Sequence, residues 1–324
     1  MKKDEKNEEK KRMNPWFYAI FWLSRQKLAR GTAKVSRLLP KISSIAYWLR
    51  FIADCRASSL ADSAKVLTNR SVFATRLALR RFGILRLGAS SGWLDSPFRL
   101  RGLVKWSPAS SAWYVLEDYG TDAAMTRSRE EPEEWLMDAL SGGMTVIDVG
   151  AHQGRYAIQF SRRVGKAGLV VAVEPEPRNL ELLSRNLKLN GINNVKAIRA
   201  ACWSCRELLQ LSRGNTLDVS RVSKTAEKNG DLIGLPLDDL VEELALRRVD
   251  QVKIDVEGAE LDVLEGGRKM LRAFRPCLFV ECHGTLPKLF EWLPREGYKV
   301  LRQRNDPVHG EGFGWILALP KEGG

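Results

Sequence analysis

The amino-acid sequence predicts an α/β fold in which a mostly parallel β-sheet carries helices on both faces. Strand and helix patterns alternate from residue 144 onward, as they do in doubly wound sheets. A glycine-containing turn, residues 150–154, follows the first of these strands, and the acidic residue Glu174 follows the second. Ligands of such sheets bind at the carboxyl ends of the strands, so these two features also predict where a ligand binds.

Short apolar runs rich in β-branched residues predict buried strands, and apolar residues spaced three or four apart predict helices. The five main strands are predicted at residues 146–149, 169–173, 195–201, 249–256 and 278–282, with two last strands at 299–303 and 315–319. Helices are predicted at residues 154–164, 177–190, 257–274 and 286–296. Glu131 and Pro132 open a further helix before the first strand, because proline and acidic residues favour a first helical turn. The polar residues 214–231, after a short strand at 207–212, predict a loop.

The chain is expected to divide into four parts. Residues 1–13 are a charged tail that we expect to be disordered, and residues 14–90 form a basic amphipathic helical region. Residues 91–127 are a small β segment that leads into the core, with a hairpin predicted between residues 98–106 and 113–119. Residues 128–324 form the α/β domain. Hydrophobic residues make up 44% of the chain, which is enough for a sizeable core.

The net positive charge of the chain comes from its N-terminal part. Residues 1–120 contain 23 Lys and Arg against 9 Asp and Glu, whereas the remaining residues contain 29 against 30. Three interpretations of the basic helices stay open: peripheral contact with a membrane through residues 14–88, a helical cap on the α/β domain, and, less favoured, nucleic-acid binding. The aromatic run at residues 15–23 is far shorter than the ~20 residues of a membrane span and lacks a signal-peptide cleavage site. We therefore expect a cytoplasmic protein, located at the inner face of the membrane if the first interpretation holds.

The cysteines predict free thiols. There are five, Cys55, Cys202, Cys205, Cys277 and Cys282, and an odd number argues against a disulfide framework. Cys202 and Cys205 have the spacing of a redox pair or of half a zinc site. We favour buried thiols instead, because the chain has one such pair and only three histidines.

The turn after the first strand predicts the class of ligand. Gly150 and Gly154 allow a tight turn and a close approach of the backbone to a ligand. Glu174 can accept hydrogen bonds from both ribose hydroxyls of an adenosine. The pattern D-x-G-x-x-x-G, which starts at Asp148, differs from the G-x-G-x-x-G of dinucleotide sites. A carboxylate before the turn suits a positively charged ligand, and S-adenosylmethionine carries an ammonium and a sulfonium instead of a pyrophosphate. We therefore expect S-adenosylmethionine as the cofactor.

Several segments resemble the FkbM-like family of S-adenosylmethionine-dependent methyltransferases. They are residues 146–154, 173–175, 200–201, 237–240 and 252–266, and the last of these, which begins Val252-Lys253-Ile254-Asp255-Val256-Glu257-Gly258, is the most specific. The resemblance covers about residues 128–320. His152 and Gln153 depart from the family, which more often has Asn-Ile or a similar pair there.

The resemblance implies a Rossmann-like class I methyltransferase with a seven-stranded, mostly parallel sheet. One strand, residues 315–319, is expected to be antiparallel and to lie beside the fifth strand. The resemblance further implies transfer of a methyl group to a hydroxyl, on a sugar, a glycan or a small metabolite.

The resemblance also implies which residues bind the cofactor. Those expected around its methionine part are Asp148, Gly150, Ala151, His152 and Gly154. Those expected at the ribose are Glu174 and Pro175, and those at the adenine are Ala201 and Cys202. Glu131 is expected to close the pocket, and Asp255 to lie near the methyl group.

On the acceptor side, the expected catalytic residues are Asp255, Glu257 and His283. His283 is a candidate general base, because an ordinary histidine titrates near neutral pH. Asp255 with Glu281 and His283 could equally bind a divalent metal ion, although a metal is not expected. The structural alternatives are that Glu257 favours a helix N-terminus and that His283 caps a turn.

Two other functions stay open at this point. An RNA methyltransferase would use the basic N-terminal region to contact phosphates, but the segment after the fourth strand, Asp255-Val256-Glu257, lacks an Asn-Pro-Pro-Tyr-like motif. A non-catalytic binding protein with the same fold would bind no cofactor.

Overall fold

The computed structural model describes residues 104–107, 110–115, 125, 131–213, 220–224, 232–306 and 310–321. The expected tail, residues 1–13, and the expected basic helical region, residues 14–90, lie outside the described residues. The membrane, cap and nucleic-acid interpretations of that region therefore stay predictions, as do the domain boundaries. Within the described ranges, no helix is long and apolar enough to cross a bilayer.

The N-terminal part of the described chain is a hairpin followed by a helix. Strands β1 (Val104–Ser107) and β2 (Ala112–Val115) pair antiparallel, so the predicted hairpin is present with shorter strands. Helix α1 (Glu131–Asp138) begins at the predicted residue, with three acidic side chains in its first turn. The hairpin is fixed to the α/β domain by Asn186, whose side-chain oxygen accepts a hydrogen bond from the Val115 amide at 2.8 Å.

The rest of the described chain alternates strands and helices. In chain order the elements are β3 (Thr145–Val149), α2 (Arg155–Val164), β4 (Leu169–Val173), α3 (Pro177–Leu189), β5 (Val195–Ile198), β6 (Ala201–Cys202), β7 (Leu208–Arg213), β8 (Ser220–Lys224), β9 (Leu232–Leu235), α4 (Leu237–Glu243), β10 (Gln251–Ile254), α5 (Glu260–Glu265), α6 (Arg268–Phe274), β11 (Cys277–His283), α7 (Leu286–Arg295), β12 (Tyr298–Asn305) and β13 (Phe313–Pro320).

Seven of the strands form the central sheet, in the order β12-β13-β11-β10-β3-β4-β5. Its strands are parallel except β13, which pairs antiparallel with both β11 and β12. The predicted seven-stranded sheet, with an antiparallel strand beside the fifth, is therefore confirmed. Because β4, β3, β10 and β11 are neighbours in the sheet, the residues that follow them meet at one edge.

Helices cover both faces of this sheet. One hydrophobic cluster joins Ile147 and Val149 of β3 to helices α4, α5, α6 and α7. The other cluster joins Val146 of β3 to α1, α2 and α3. Alternate residues of one strand thus enter opposite cores, because successive side chains of a strand point to opposite faces. This two-faced burial explains the continuous apolar runs from which the strands were predicted.

The predicted helix at residues 257–274 is in fact two helices, α5 and α6, which are separated at Gly266 and Gly267. The break has a packing cause. A Cβ atom on Gly266 would lie 2.0 Å from the Trp203 carbonyl oxygen, so only glycine fits there. The side chain of Asp238 then caps α6, since it accepts hydrogen bonds from the amides of Lys269 and Met270.

A second, smaller sheet has the order β6-β9-β7-β8 and corrects two predictions. The strand predicted at residues 195–201 ends at Ile198, and Ala201 and Cys202 pair with β9 in the small sheet. The loop prediction for residues 214–231 was wrong for 220–224, which form β8 and pair with β7. Residues 220–224 are mostly polar and therefore lack the apolar pattern from which strands are predicted. An edge strand needs few buried side chains, so it can form without that pattern.

The cysteines of the described ranges, Cys202, Cys205, Cys277 and Cys282, are free thiols. Cys202 is buried, and its burial raises the pKa of the thiol to about 12. It therefore stays protonated at neutral pH and packs as a small apolar side chain.

Candidate functional site

A cleft opens at the carboxyl ends of β3, β4 and β10. It brings together nine of the predicted site residues: Gly150, Ala151, His152, Glu174, Pro175, Ala201, Cys202, Asp255 and Glu257. Other residues in its wall are Met125, Arg155, Tyr156, Asn179, Val222 and Lys253. The cleft therefore lies where the sequence predicted a ligand.

Gly150 brings the turn after β3 against the end of β10. Its φ of +76° lies in the left-handed region, and a Cβ atom on it would lie 1.8 Å from the Asp255 carbonyl oxygen. The amides of Gly150 and Ala151 both donate to the Val173 carbonyl at 3.0 Å, which fixes the turn to the end of β4 as well. Glycine is thus required here by both conformation and space.

Glu174 is a buried carboxylate held by backbone amides at the end of β4. Its Oε2 accepts a hydrogen bond from the His152 amide at 2.8 Å, and its Oε1 accepts one from the Glu176 amide at 3.0 Å. Burial raises the pKa of Glu174 to about 7, although these amides, with Asn179, lower it. A carboxylate has about four acceptor positions, so it can also accept from the two hydroxyls of a ribose.

Next to Glu174 the cleft wall is apolar. The residues that contribute to it are Pro175, Ala201, Cys202 and Val222 of β8. An adenine ring needs such flat apolar contacts, so these residues fit the predicted adenine position. Val222 was missed by the sequence analysis, because it lies in the segment that was expected to be a loop.

Lys253 is a buried residue in the wall of the cleft, and the sequence did not predict it as a site residue. Its ammonium is 3.2 Å from Asp148 Oδ1 and 3.3 Å from Asp255 Oδ2, and it donates to the Gly150 carbonyl at 3.1 Å. It also lies 4.8 Å from the centre of the Tyr156 ring. Burial lowers the pKa of Lys253, but the nearby carboxylates, Asp148 foremost, outweigh burial and raise it above its ordinary value.

A sequence signal for Lys253 did exist. The lysine interrupts an apolar strand, between Val252 and Ile254, and a buried lysine requires a partner of opposite charge. Its partner, Asp148, is fully buried in β3, so the structure places it behind the cleft wall instead of in it. Burial raises the pKa of Asp148, and Lys253 opposes this effect.

At the ends of β10 and β11 the structure gathers acidic side chains around one histidine. His283 Nε2 lies 3.8 Å from Glu257 Oε1, and His283 Nδ1 lies 2.9 Å from Glu260 Oε1. Burial lowers the pKa of His283, but the Glu260 hydrogen bond and the charges of Asp255 and Glu257 outweigh it and raise the pKa to about 9. The predicted catalytic residues Asp255, Glu257 and His283 are therefore neighbours.

The two carboxylates beside the histidine differ in their electrostatics. Burial works to raise the pKa of Asp255, but Lys253 and His283 outweigh it, and the pKa is lowered. Burial raises the pKa of Glu257. Three possible metal ligands, one side-chain atom from each of Asp255, Glu281 and His283, lie within 4.8 Å of one another. They are therefore close enough together for the metal site that was the predicted alternative.

Three other predicted residues, Gly154, Glu131 and His283, are not in the wall of the cleft. Gly154 lies in the turn before α2, where its φ is +89° and a Cβ atom would meet the Leu183 side chain at 3.3 Å. Glu131 is exposed at the start of α1 and lies 3.7 Å from Arg304 of β12. His283 is behind Glu257 instead of in the cleft wall itself. The role assigned to each residue stays a prediction.

Comparison with known proteins finds similarity to methyltransferases. Residues 148–300 match the family described as Methyltransferase FkbM domain, which confirms the resemblance drawn from the sequence. Methyltransferase sdnD of Sordaria araneosa is 29% identical over 195 residues, which are 49% of this chain and 75% of that protein. Methyltransferase 1 of Beauveria bassiana is 28% identical over 145 residues, which are 37% of this chain and 57% of that protein.

Among solved structures, the Methyltransferase FkbM of Methylobacillus flagellatus aligns with a TM-score of 0.40 and 17% identity. The alignment covers 58% of this chain and 50% of that one. Fibrillarin of Aeropyrum pernix aligns with a TM-score of 0.38 and 14% identity, over 55% of this chain and 67% of that one.

Proposed function

We propose that this chain, whose residues 148–300 match the Methyltransferase FkbM domain family, transfers the methyl group of S-adenosylmethionine to a hydroxyl of a sugar, a glycan or a small metabolite. One arrangement carries the proposal. The cleft is lined by a buried carboxylate that suits a ribose, Glu174, and a histidine among carboxylates, His283, lies behind its wall, with Nε2 3.8 Å from Oε1 of the lining residue Glu257. The first group suits cofactor binding and the second suits activation of a hydroxyl.

The residues of the cleft fit the cofactor by their chemistry. Glu174 would accept hydrogen bonds from the ribose hydroxyls, and Ala201 and Cys202 would contact the adenine. The acidic side chains at the end of β10, Asp255 and Glu257, would attract the positive charge of the cofactor. When bound, S-adenosylmethionine supplies a methyl group that its sulfonium has already activated.

The work left to the protein is alignment and proton removal. The acceptor hydroxyl must face the methyl group for in-line attack, and the walls of the cleft hold both reactants. With the cofactor bound, His283 would accept the hydroxyl proton at Nε2 as the oxygen takes the methyl group from the sulfonium. Because the pKa of His283 is raised to about 9, the fraction of neutral base increases as the pH rises through that value.

A divalent metal at Asp255, Glu281 and His283 is the alternative way to activate the hydroxyl. The Lys253 ammonium lies 3.3 Å from Asp255 and repels a second cation there. We therefore propose a reaction in which His283 is the base and no metal is used. If a chelator abolishes methyl transfer and added Mg²⁺ or Mn²⁺ restores it, the reaction depends on a metal instead.

The proposal is tested first by cofactor binding. Calorimetry with S-adenosylhomocysteine should detect binding by the full chain and little or none by the Glu174→Ala variant. A wild-type chain that is folded but binds no S-adenosylhomocysteine would favour the non-catalytic binding protein and overturn the proposal.

The acceptor class is tested by label transfer. The chain is incubated with methyl-labelled S-adenosylmethionine and separated fractions of a cell extract, and label is expected in glycans or small metabolites. The His283→Ala and His283→Asn variants should lose most of this transfer. Full activity in both variants would rule out His283 as the base. Label in the RNA fraction alone would decide for an RNA methyltransferase.

We also propose that residues 14–88 contact a membrane surface from the cytoplasmic side. The support is their sequence, in which basic and apolar residues are interleaved. Binding of the full chain and of a chain lacking residues 1–60 to anionic vesicles and to RNA is compared across a salt titration. Vesicle binding that requires residues 1–60 is expected, and a chain whose binding is unchanged by the truncation would favour the helical cap.

A further inference from the structure

The proposed base is held by a second carboxylate that lies outside the cleft wall. Glu260, the first residue of α5, is completely buried, and its Oε1 lies 2.9 Å from His283 Nδ1. The other ring nitrogen, Nε2, faces Glu257, which does line the cleft. One nitrogen of the imidazole thus points inward to Glu260, and the other points towards the acceptor end of the site.

Glu260 is itself fixed by two further donors. Its Oε1 accepts a hydrogen bond from the Gly258 amide at 2.9 Å, and its Oε2 accepts one from the Thr285 hydroxyl at 2.7 Å. These bonds join the loop after β10 to the residues after β11. A carboxylate held from both sides has one orientation, and this orientation fixes the position of the imidazole ring.

The contact also decides where the ring proton lies. An imidazole is a stronger base than a carboxylate, so the proton in the Nδ1 hydrogen bond is on the histidine. In the neutral ring, Nδ1 is then the donor and Nε2 carries the free lone pair. Only this tautomer can accept a proton at Nε2, where the acceptor hydroxyl would approach.

We infer that Glu260 is a positioning residue, which holds His283 in the Nδ1–H tautomer and aims Nε2 at the hydroxyl that receives the methyl group. The inference rests on the proposed function. Buried carboxylates orient catalytic histidines in this way in other enzymes, without becoming protonated themselves. The position and hydrogen bonds of Glu260 set it apart from Glu257, which lies in the cleft wall.

Several charged groups surround the ring, and the test must separate Glu260 from them. Asp255 and Glu257 face His283 from the end of β10 and the loop that follows it, and Glu281 lies on the same strand as the histidine. From β13, the ring of Phe313 meets it edge-on, with the ring centres 6.2 Å apart. These groups remain in a Glu260→Gln variant, which removes one charge and keeps the size of the side chain.

Nuclear magnetic resonance of ¹⁵N-histidine gives a readout that does not need an acceptor. The chain has only three histidines, His152, His283 and His309, and single variants assign their signals. In the wild-type chain at high pH we expect His283 to show the Nδ1–H tautomer. In Glu260→Gln the titration midpoint of His283 should fall by about one pH unit or more, because a hydrogen-bonded negative charge is lost.

Label transfer gives the second readout. We expect Glu260→Gln to lower turnover by about 10- to 100-fold while KM for S-adenosylmethionine changes little, as for other groups that orient a histidine. The optimum of turnover should move to lower pH. Glu260→Asp keeps the charge and should retain the high midpoint of His283. The control is Glu296→Gln, which removes a carboxylate that is 8% exposed, has two cationic partners, Arg268 and Arg272, and does not line the cleft.

The outcomes distinguish this inference from the proposed function. A Glu260→Gln variant that is folded and has the wild-type tautomer, midpoint and pH profile overturns the role of Glu260. A wild-type chain that binds no S-adenosylhomocysteine overturns the proposed function instead. If Glu296→Gln lowers turnover as much as Glu260→Gln, the loss is a general effect of removing a buried charge, and the inference fails.

Discussion

The ammonium of Lys253 lies 3.2 Å from the carboxylate of Asp148, and both side chains are buried between β10 and β3. The same ammonium bonds the Gly150 carbonyl and lies beside Asp255. One charge thus connects the turn predicted to bind the cofactor with the strand end predicted to face the acceptor. Buried charges of this kind are strongly coupled, so the loss of one partner leaves the others uncompensated.

Replacement of this lysine should therefore destabilise the fold. We expect Lys253→Met to lower the free energy of unfolding by about 3–5 kcal/mol, because Asp148 is left buried without its counter-charge. Urea denaturation measures the loss. The exposed Lys269 gives the control, and Lys269→Met should change stability by less than about 0.5 kcal/mol.

The double variant Lys253→Met with Asp148→Asn sharpens this prediction. It should be more stable than Lys253→Met alone, since it removes the unpaired charge together with its partner. If the double variant loses at least as much stability as the sum of the two single variants, the two side chains are not coupled as described.

Gly150 should tolerate alanine much less well than Gly143 does. Both have a positive φ, but a Cβ atom at Gly143 meets nothing within 4 Å, whereas one at Gly150 meets the Asp255 carbonyl at 1.8 Å. We expect Gly143→Ala to cost about 1–2 kcal/mol for its left-handed backbone. Gly150→Ala should cost about 1–3 kcal/mol more for the steric overlap. Equal losses of unfolding free energy would contradict the close contact with β10.

Binding of S-adenosylhomocysteine should depend on the ionisation of Glu174. The Glu174 side chain can accept hydrogen bonds from both ribose hydroxyls when it is charged, and its pKa is raised to about 7. Affinity should therefore fall as the pH is lowered through that value. Glu174→Gln should weaken binding by about 10- to 100-fold, which corresponds to the hydrogen bonds made to a charged acceptor.

The pH dependence is the stricter part of this test. It should disappear in Glu174→Gln and persist in Glu181→Gln, which removes an exposed carboxylate from α3. Calorimetric titrations across neutral pH measure both effects. An affinity of Glu174→Gln that still falls with decreasing pH would assign the titration to another group.

His283 should stabilise the folded chain below its pKa. Its pKa in the fold is about 9 and its ordinary value is 6.5, so the fold favours the charged ring. The resulting stability is fully present below the ordinary value and is lost as the pH rises through the folded value. The stability difference between the wild-type chain and His283→Gln should shrink by about 3 kcal/mol from about pH 6 to about pH 10.

A stability difference between the wild-type chain and His283→Gln that stays constant over this pH range would mean that the acidic side chains around the ring do not favour its charged form.

The sequence predicted the central sheet well because its signals are local. Apolar runs identify strands that are buried on both faces, and the glycine turn at residues 150–154 and the acidic Glu174 lie next to those strands in the chain. The same signals located the turn and Glu174 in the cleft wall, whereas Ala201, Cys202, Asp255 and Glu257 were predicted from the resemblance. The antiparallel strand beside the fifth, predicted at residues 315–319, followed from the resemblance instead.

The missed features depend on contacts between distant segments. The break between α5 and α6 arises because Gly266 packs on the backbone of Trp203, and no helical pattern reveals that contact. β8 exists because β7 offers it a partner, not because its own residues favour a strand. Asp148 was predicted to face the ligand, but its partner Lys253, 105 positions later in the chain, holds it behind the cleft.

The position of β13 also has a consequence for biosynthesis. β13 is the last strand of the described chain, yet it lies between β11 and β12, which both precede it. A chain emerging from the ribosome has made β11 and β12 before the strand that joins them exists, so β11 keeps an open edge until residues 313–320 are free. Open edges attract other strands, so the interval before β13 inserts is when the nascent chain most needs protection by chaperones.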